Sequence, residues 1–104
     1  MEQISTVEFQ KQFTPSGYIR INIDGNWIFE HKYLVSRHIG RELTKEEVVH
    51  HISGVKSDNR LSNLFLFPNQ KEHRKFENKV KQFGWTRQLI RRVNSRWEEY
   101  FKDE

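Results

Sequence analysis

The residues that could do chemistry in this 104-residue chain are histidines at the ends of two short apolar runs. The run Val48-Val49 ends in the adjacent residues His50 and His51, and His73 follows the second run. Because neighbouring residues of a strand point to opposite sides, His50 and His51 cannot share one task on a regular strand. One can face a metal while the other faces a substrate. Hydrolysis of a phosphodiester needs that division, since a metal polarises the phosphate and a separate base activates the water.

The chain around these histidines resembles the HNH endonuclease motif, the ββα-metal fold, and is close to the branch found in phage and intron-encoded homing nucleases. The resemblance covers roughly half of the chain, and its order, spacing and apolar runs match together, which makes it specific. The matching stretches are Glu30-His31-Lys32-Tyr33-Leu34-Val35, Ile39-Gly40-Arg41, Glu47-Val48-Val49-His50-His51-Ile52, Asp58-Asn59-Arg60-Leu61-Ser62-Asn63-Leu64 and His73.

The resemblance implies a role for each motif position. His51 is expected to be the general base, because an unperturbed imidazole, with a pKa near ~6.5, is partly neutral at physiological pH. His50 and His73 are expected to hold one divalent ion together with water and phosphate oxygens. Asn63 is the middle letter of the motif, expected to brace the loop between the strands and so to orient the base. Asn59 is the weaker candidate for that role.

The expected ion is Mg²⁺ or Mn²⁺, although two imidazoles would also suit Zn²⁺ or Ni²⁺. We expect the imidazoles of His50 and His73 to share this ion, and the imidazole of His51 to stand clear beside them in reach of solvent. His31 also coincides with a histidine of the resembling family. We expect an accessory role for it, either structural or close to a phosphate.

Composition limits the classes of function. The chain carries a formal charge of +4 and has a pI of about 9.5, which suits a polyanionic partner such as DNA. It has no cysteine, so disulfides, cysteine zinc sites and thiol catalysis are excluded. We see neither a signal peptide nor an apolar run of membrane-spanning length. The expected location is intracellular, in the cytoplasm of a bacterial or phage-infected host cell.

The pattern of apolar residues predicts a single α+β domain over residues 1–104. A hairpin is indicated by alternation on both sides of Asp24-Gly25, and Thr44-Lys45-Glu46-Glu47 matches a capping box and predicts one helical turn. The predicted boundaries are an irregular arm at 1–16, the hairpin at 17–30, the HNH core at 31–83 and a C-terminal basic amphipathic helix within 84–104, running from Thr86 to about Phe101.

Basic residues are concentrated after the second strand. From Lys71 to Arg96 there are nine Lys or Arg residues and two acidic ones. Such a run is either a set of phosphate contacts or a solvated helix face. A dimer through the C-terminal helix is left open. The candidates for phosphate contact are Lys71, Arg74, Lys75, Arg87, Arg91, Arg92 and Arg96.

Two other functions compete with a metal-dependent endonuclease. The first is a DNA-binding module that keeps the fold without the activity. The second is a structural metal or protein-interaction domain in which His50 and His73 hold zinc. A structural zinc site normally takes four protein ligands, and here only two or three are placed to converge.

Overall fold

The computed structural model describes residues 5–100 and places them in two small antiparallel sheets and three α-helices. The α+β fold class is therefore confirmed. Two short 3₁₀ turns occupy Leu61–Asn63 and Glu98–Tyr100. No helix within this range is long and apolar enough to cross a bilayer. The strands are β1 (Gln10–Phe13), β2 (Ile19–Ile23), β3 (Asn26–Phe29), β4 (Val48–His51) and β5 (Leu64–Phe67). The helices are α1 (Glu30–Ile39), α2 (Gln70–Phe83) and α3 (Arg87–Asn94).

The first sheet contains the predicted hairpin and one additional strand. β2 and β3 are joined by Asp24 and Gly25, whose φ angles of 53° and 88° are the positive values that a type I′ turn requires. β1 pairs with the other edge of β2. The irregular arm expected over residues 1–16 is therefore wrong for Gln10–Phe13. All four β1 residues are exposed, so the strand is held by backbone pairing and lacks an alternating apolar pattern. Residues 1–4 lie outside the described range.

The second sheet forms the centre of the core. β4 and β5 pair antiparallel, and every residue of β5 is buried because helices cover both of its faces. Alternate β5 residues therefore belong to two separate apolar clusters. The cluster on the side of α2 and α3 consists of Phe65, Phe67, Phe76 and Leu89. The cluster on the side of α1 consists of Val35, Leu64 and Leu66.

The helix ends follow the capping signals of the sequence at two places. Gly40 adopts a left-handed conformation after α1, with φ of 78°. The Asn69 side chain accepts a hydrogen bond from the Glu72 backbone N–H at 2.9 Å and so begins α2.

The helical turn expected at Thr44-Lys45-Glu46-Glu47 does not form. The Glu47 carboxylate does accept from the Thr44 N–H at 2.8 Å, as in a capping box, but the chain enters β4 directly after Glu47. The carboxylate also pairs with the guanidinium of Arg41 at 2.8 Å. The local capping pattern is therefore satisfied without a helix, because the next residues are committed to strand pairing.

The C-terminal helix is shorter than expected, since α3 ends at Asn94 instead of continuing to about Phe101. Leu89 packs on the α2 side of β5, whereas Trp97 and Tyr100 pack on the α1 side. A straight helix cannot reach both faces of the same strand, so the chain turns between them. Phe101 lies outside the described residues.

Arg96 holds this turn. Its guanidinium donates to the backbone carbonyls of Leu64 at 2.5 Å, Val93 at 2.5 Å and Leu61 at 2.9 Å. These bonds tie the end of α3 to the start of β5. Arg96 was expected to contact phosphate, and its inward bonds remove it from that set.

Replacing Arg96 should therefore destabilise the fold. Arg96→Ala leaves partly buried carbonyls without their donor, and we expect a loss of about 2–3 kcal/mol in the free energy of unfolding. The exposed Arg91 is the matched control, and Arg91→Ala should change stability by less than about 0.5 kcal/mol. Urea unfolding monitored by circular dichroism measures both values. Equal stability of the two variants would contradict the assigned role of Arg96.

Candidate metal centre and base

The two adjacent histidines of β4 face opposite sides of the second sheet. His50 lies opposite Phe65 in the strand register, and His51 lies opposite Leu64. Because Phe65 belongs to the α2-side cluster and Leu64 to the α1-side cluster, the two imidazoles are directed to different neighbours. The strand therefore separates the two imidazoles as its alternation predicts.

His50 meets His73 on the α2 side. His50 Nδ1 and His73 Nε2 are 2.9 Å apart, and the ring centroids are 4.8 Å apart. His73 stands in the first turn of α2, which Asn69 caps. Burial lowers the pKa of His50, and the neighbouring His73 lowers it further. Both effects favour the neutral imidazole, the form that binds a metal.

Glu77 completes this cluster and was missed in the sequence. Its Oε1 lies 3.6 Å from His73 Nε2, and the ligand atoms of His50, His73 and Glu77 all lie within 4.8 Å of one another. The signal available in the sequence was the i, i+4 spacing of His73 and Glu77, which puts both on one face of α2.

The three groups fit a divalent ion. Ligands at ~2.1 Å from an ion and at right angles to each other are ~3.0 Å apart, and the nitrogens of His50 and His73 are separated by 2.9 Å. Two imidazoles and a carboxylate suit Mn²⁺, Zn²⁺ or Ni²⁺, and the carboxylate also suits Mg²⁺. Within residues 5–100 the cluster offers three protein ligands, fewer than a structural zinc site takes.

His51 lies on the α1 side and is only 6% exposed. The expectation that its imidazole stands clear in solvent is therefore wrong, because the ring is enclosed by neighbouring rings and by the loop before β5. Its Nε2 lies 2.7 Å from Asn59 Oδ1. The residue also borders a cleft of about 230 Å³ on the α2 side, together with His50 and Glu77, whereas its ring is directed to the opposite face of the strand. Such a volume holds several water molecules.

Asn59 is connected in turn to a buried carboxylate. Its Nδ2 donates to Glu30 Oε1 at 2.8 Å, while Thr6 and Lys11 contact Glu30 Oε2 at 2.5 and 2.9 Å. Burial alone would raise the pKa of Glu30, but the hydrogen bonds from Thr6, Asn59 and Lys11 outweigh it and leave this pKa below its ordinary value. Glu30 is therefore an anion at neutral pH. Neither its own carboxylate nor these contacts were anticipated from the sequence.

Asn63 lies in the position expected of a loop brace. Its Oδ1 accepts from the Ser53 N–H at 2.9 Å, and its Nδ2 donates to the Asp58 carbonyl at 2.8 Å. Its backbone carbonyl accepts from the Ile52 N–H at 2.8 Å. These bonds close the loop between β4 and β5. The side-chain contact to His51, however, comes from Asn59 rather than from Asn63.

Comparison with known proteins agrees with this geometry. Residues 29–74 match the sequence model of a family described as HNH endonuclease, and the match spans α1, both strands of the second sheet and His73. Residues 29–74, called the HNH segment below, are therefore similar to that family over less than half of the chain. No curated protein and no solved structure gives a significant match.

His31 is a fourth histidine of the HNH segment that lies close to the site, besides His50, His51 and His73. It is 5% exposed, stacks on Tyr18 at 5.3 Å between ring centroids, and lies 4.9 Å from the His51 ring. Burial lowers its pKa to about 4, with His51 and Lys32 adding to the effect. Its Nδ1 finds no hydrogen-bond partner within the described part of the chain. His31 is therefore a neutral ring that packs against the imidazole of His51.

The basic residues around the HNH segment differ in their environment. Arg92 is exposed, and its guanidinium lies 5.4 Å from the ring centroid of Phe65. Lys75 pairs with Glu72 at 3.5 Å. Arg96 points inward, as described above. The residues that remain exposed to solvent are Lys71, Arg74, Lys75, Arg87, Arg91 and Arg92.

Protonation of His31 should destabilise the protein in mild acid. The unfolded pKa near ~6.5 lies above the folded value of about 4, so the unfolded state binds more protons in this window. The contribution of His31 to the stability of the fold is complete above pH ~6.5, and it is lost as the pH falls toward the folded pKa. Between pH ~7 and pH ~5 the expected loss in unfolding free energy is about 2 kcal/mol.

Urea unfolding at these two pH values measures the loss. His31→Phe keeps a ring but cannot titrate. Its unfolding free energy should therefore fall by about 2 kcal/mol less than that of the wild type between the two pH values. An identical pH dependence in wild type and His31→Phe would contradict the assignment.

Proposed function

We propose that this protein is a metal-dependent endonuclease that hydrolyses DNA phosphodiester bonds. The observation that supports it best is the 2.9 Å separation between His50 Nδ1 and His73 Nε2, with a further imidazole, His51, on the opposite face of the same strand. In the proposed site His50, His73 and Glu77 hold one divalent ion. That ion, when bound, would polarise the scissile phosphate and stabilise the charge on the leaving oxygen.

His51 is the proposed general base. It takes a proton from a water molecule as that water attacks phosphorus. The bond from phosphorus to the 3′ oxygen then breaks, and that oxygen takes a proton from solvent, which leaves a 5′-phosphate and a 3′-hydroxyl. General-base catalysis contributes typically ~10²–10⁴ in rate. Because His51 is only 6% exposed, its ring is largely screened from bulk water.

DNA as the substrate is supported by the basic surface next to the cleft. α2 carries Lys71, Arg74 and Lys75, and it also provides the ligands His73 and Glu77. Phosphate contacts along this helix would bring the backbone of a duplex to the metal cluster. Membership of the homing branch stays a prediction, as does the identity of the ion.

A catalytically inactive DNA-binding module of the same fold is the second candidate. The observation that favours it is the burial of His51, which is 6% exposed and already hydrogen-bonded to Asn59. In that case the basic surface would bind DNA, and no metal would produce cleavage.

Cleavage of supercoiled plasmid in the presence of Mg²⁺, Mn²⁺, Zn²⁺ or Ni²⁺ separates the two candidates. The wild type should nick or cut the plasmid in at least one of these ions. His51→Ala should reduce the cleavage rate by ~10²-fold or more, because the base is removed, while DNA affinity stays within about twofold.

The matched control is His38→Ala, which removes a half-buried histidine that packs against Trp97 outside the site. It should cleave at the wild-type rate when assayed well below its melting temperature. Binding without cleavage in all four ions, or undiminished cleavage by His51→Ala, would contradict the proposed mechanism.

The salt dependence of DNA affinity tests the basic surface. Each lost phosphate contact should reduce the slope of log affinity against log salt by ~0.9. We therefore expect Arg74→Ala and Arg91→Ala each to flatten the slope by about one contact, as measured by fluorescence anisotropy on a labelled duplex. The control is Arg37→Ala, an exposed arginine on α1 outside this surface. Equal slopes for all three variants and the wild type would indicate that the basic helix face is merely solvated.

A further inference from the structure

The base is connected to a buried anion through one amide. His51 Nε2 lies 2.7 Å from Asn59 Oδ1, and Asn59 Nδ2 lies 2.8 Å from Glu30 Oε1. All three residues are at most 9% exposed. Glu30 begins α1, Asn59 belongs to the loop before β5, and His51 ends β4, so three separate elements converge on this chain of hydrogen bonds.

The carboxylate determines which way the amide faces. An ionised carboxylate can only accept hydrogen bonds, so the Asn59 atom beside Glu30 must be the donating Nδ2. The opposite orientation would put two acceptor oxygens 2.8 Å apart. Thr6 and Lys11 donate to the other oxygen of Glu30, which keeps the carboxylate in place. Asn59 Oδ1 must therefore point at His51.

The amide in turn determines which nitrogen of His51 carries the proton. Asn59 Oδ1 can only accept, so a hydrogen bond at 2.7 Å requires a proton on His51 Nε2. A neutral imidazole holds one proton, and Nδ1 is then left with a free lone pair. The same logic operates when a carboxylate holds a catalytic histidine directly, but here the amide keeps the negative charge one residue away from the ring.

We propose that Glu30 and Asn59 are positioning residues that fix the proton of His51 on Nε2 and so make Nδ1 the basic atom of the site. This inference rests on the proposed function, because it is in the proposed hydrolysis that the basic atom accepts a proton from water. The hydrogen-bond chain and the tautomer are properties of the protein alone, and they can be measured without cleavage.

Nitrogen NMR of protein labelled with ¹⁵N-histidine reads the tautomer directly. At pH ~8, above the ordinary imidazole range, wild-type His51 should show a protonated Nε2 and an unprotonated Nδ1. Glu30→Gln removes the acceptor that orients the amide, because a glutamine side chain can either donate or accept. His51 should then show both tautomers. Asn59→Ala should also release the preference for Nε2–H.

A double variant provides a rescue. In Glu30→Gln combined with Asn59→Asp, the new carboxylate at 59 can accept from both His51 Nε2–H and the amide at 30. The charge has moved by one residue, while both hydrogen bonds are restored. We expect the Nε2–H tautomer to return in this double variant. Persistence of both tautomers there would overturn the proposed chain.

Kinetics supply the second measurement. Asn59→Ala should reduce kcat by ~10²-fold with KM within about twofold, because the substrate site is intact and the base is misdirected. The double variant should recover at least a tenfold part of that loss. Recovery distinguishes positioning from mere stabilisation, since a purely structural role would make kcat follow the melting temperature across all variants.

Glu47→Gln is the matched control. The Glu47 side chain is 7% exposed and pairs with Arg41 at 2.8 Å, whereas the Glu30 side chain is 5% exposed and pairs with Lys11 at 2.9 Å. Removing the Glu47 charge should cost comparable stability without changing the His51 tautomer or kcat. A similar tautomer change in Glu47→Gln would overturn the inference.

The two proposals fail in different ways. If the wild type cleaves no DNA but the tautomer shifts as described, the endonuclease proposal fails and the positioning chain stands. If the wild type cleaves through His51 while its tautomer is Nδ1–H, or is the same in every variant, the positioning inference alone is wrong.

Discussion

The alternation of side chains along one short strand is the constraint on which this molecule depends. In β4, His50 is directed to α2 and His51 to α1, because adjacent residues of a strand leave on opposite faces. A slip of one residue in the pairing with β5 would exchange these two environments. Such a slip is opposed by burial, since every β5 residue is enclosed and would have to move to the other apolar cluster.

The two faces carry different polar groups. On one side, the helix that begins after Asn69 brings His73 and Glu77 to His50, and the result is a cluster of ligand atoms. On the other side, hydrogen bonds run from the buried carboxylate of Glu30 to the ring of His51. The first sheet therefore contributes to the position of the Glu30 carboxylate. β1 and the residues before it hold that carboxylate, although none of them lies within the HNH segment.

Much of the fold was predictable because its signals are local. The Asp24-Gly25 turn and the Asn69 cap each fix the backbone within a few residues, and both form as expected. β1 was missed because an exposed edge strand needs no alternating apolar pattern. The helix expected to reach Phe101 ends early, since its apolar residues serve opposite faces of β5, and local periodicity does not contain that information.

The candidate site was predictable in part, for a related reason. The meeting of His50 and His73 follows from strand, loop and helix spacing. The contact between Glu30 and Asn59 joins residues 29 apart in the chain, and nothing local indicates it. The orientation of Arg96 could not be predicted from the sequence. Its guanidinium donates to backbone carbonyls, but a count of basic residues does not distinguish such an arginine from one that faces solvent.

Anomalous diffraction from a crystal soaked in Mn²⁺ would test the shared ion most directly. We expect one strong peak between His50 Nδ1 and His73 Nε2, within bonding distance of both nitrogens and next to the Glu77 carboxylate, and loss of that peak in His73→Ala. A fully occupied ion elsewhere, or a peak that survives in His73→Ala, would contradict it.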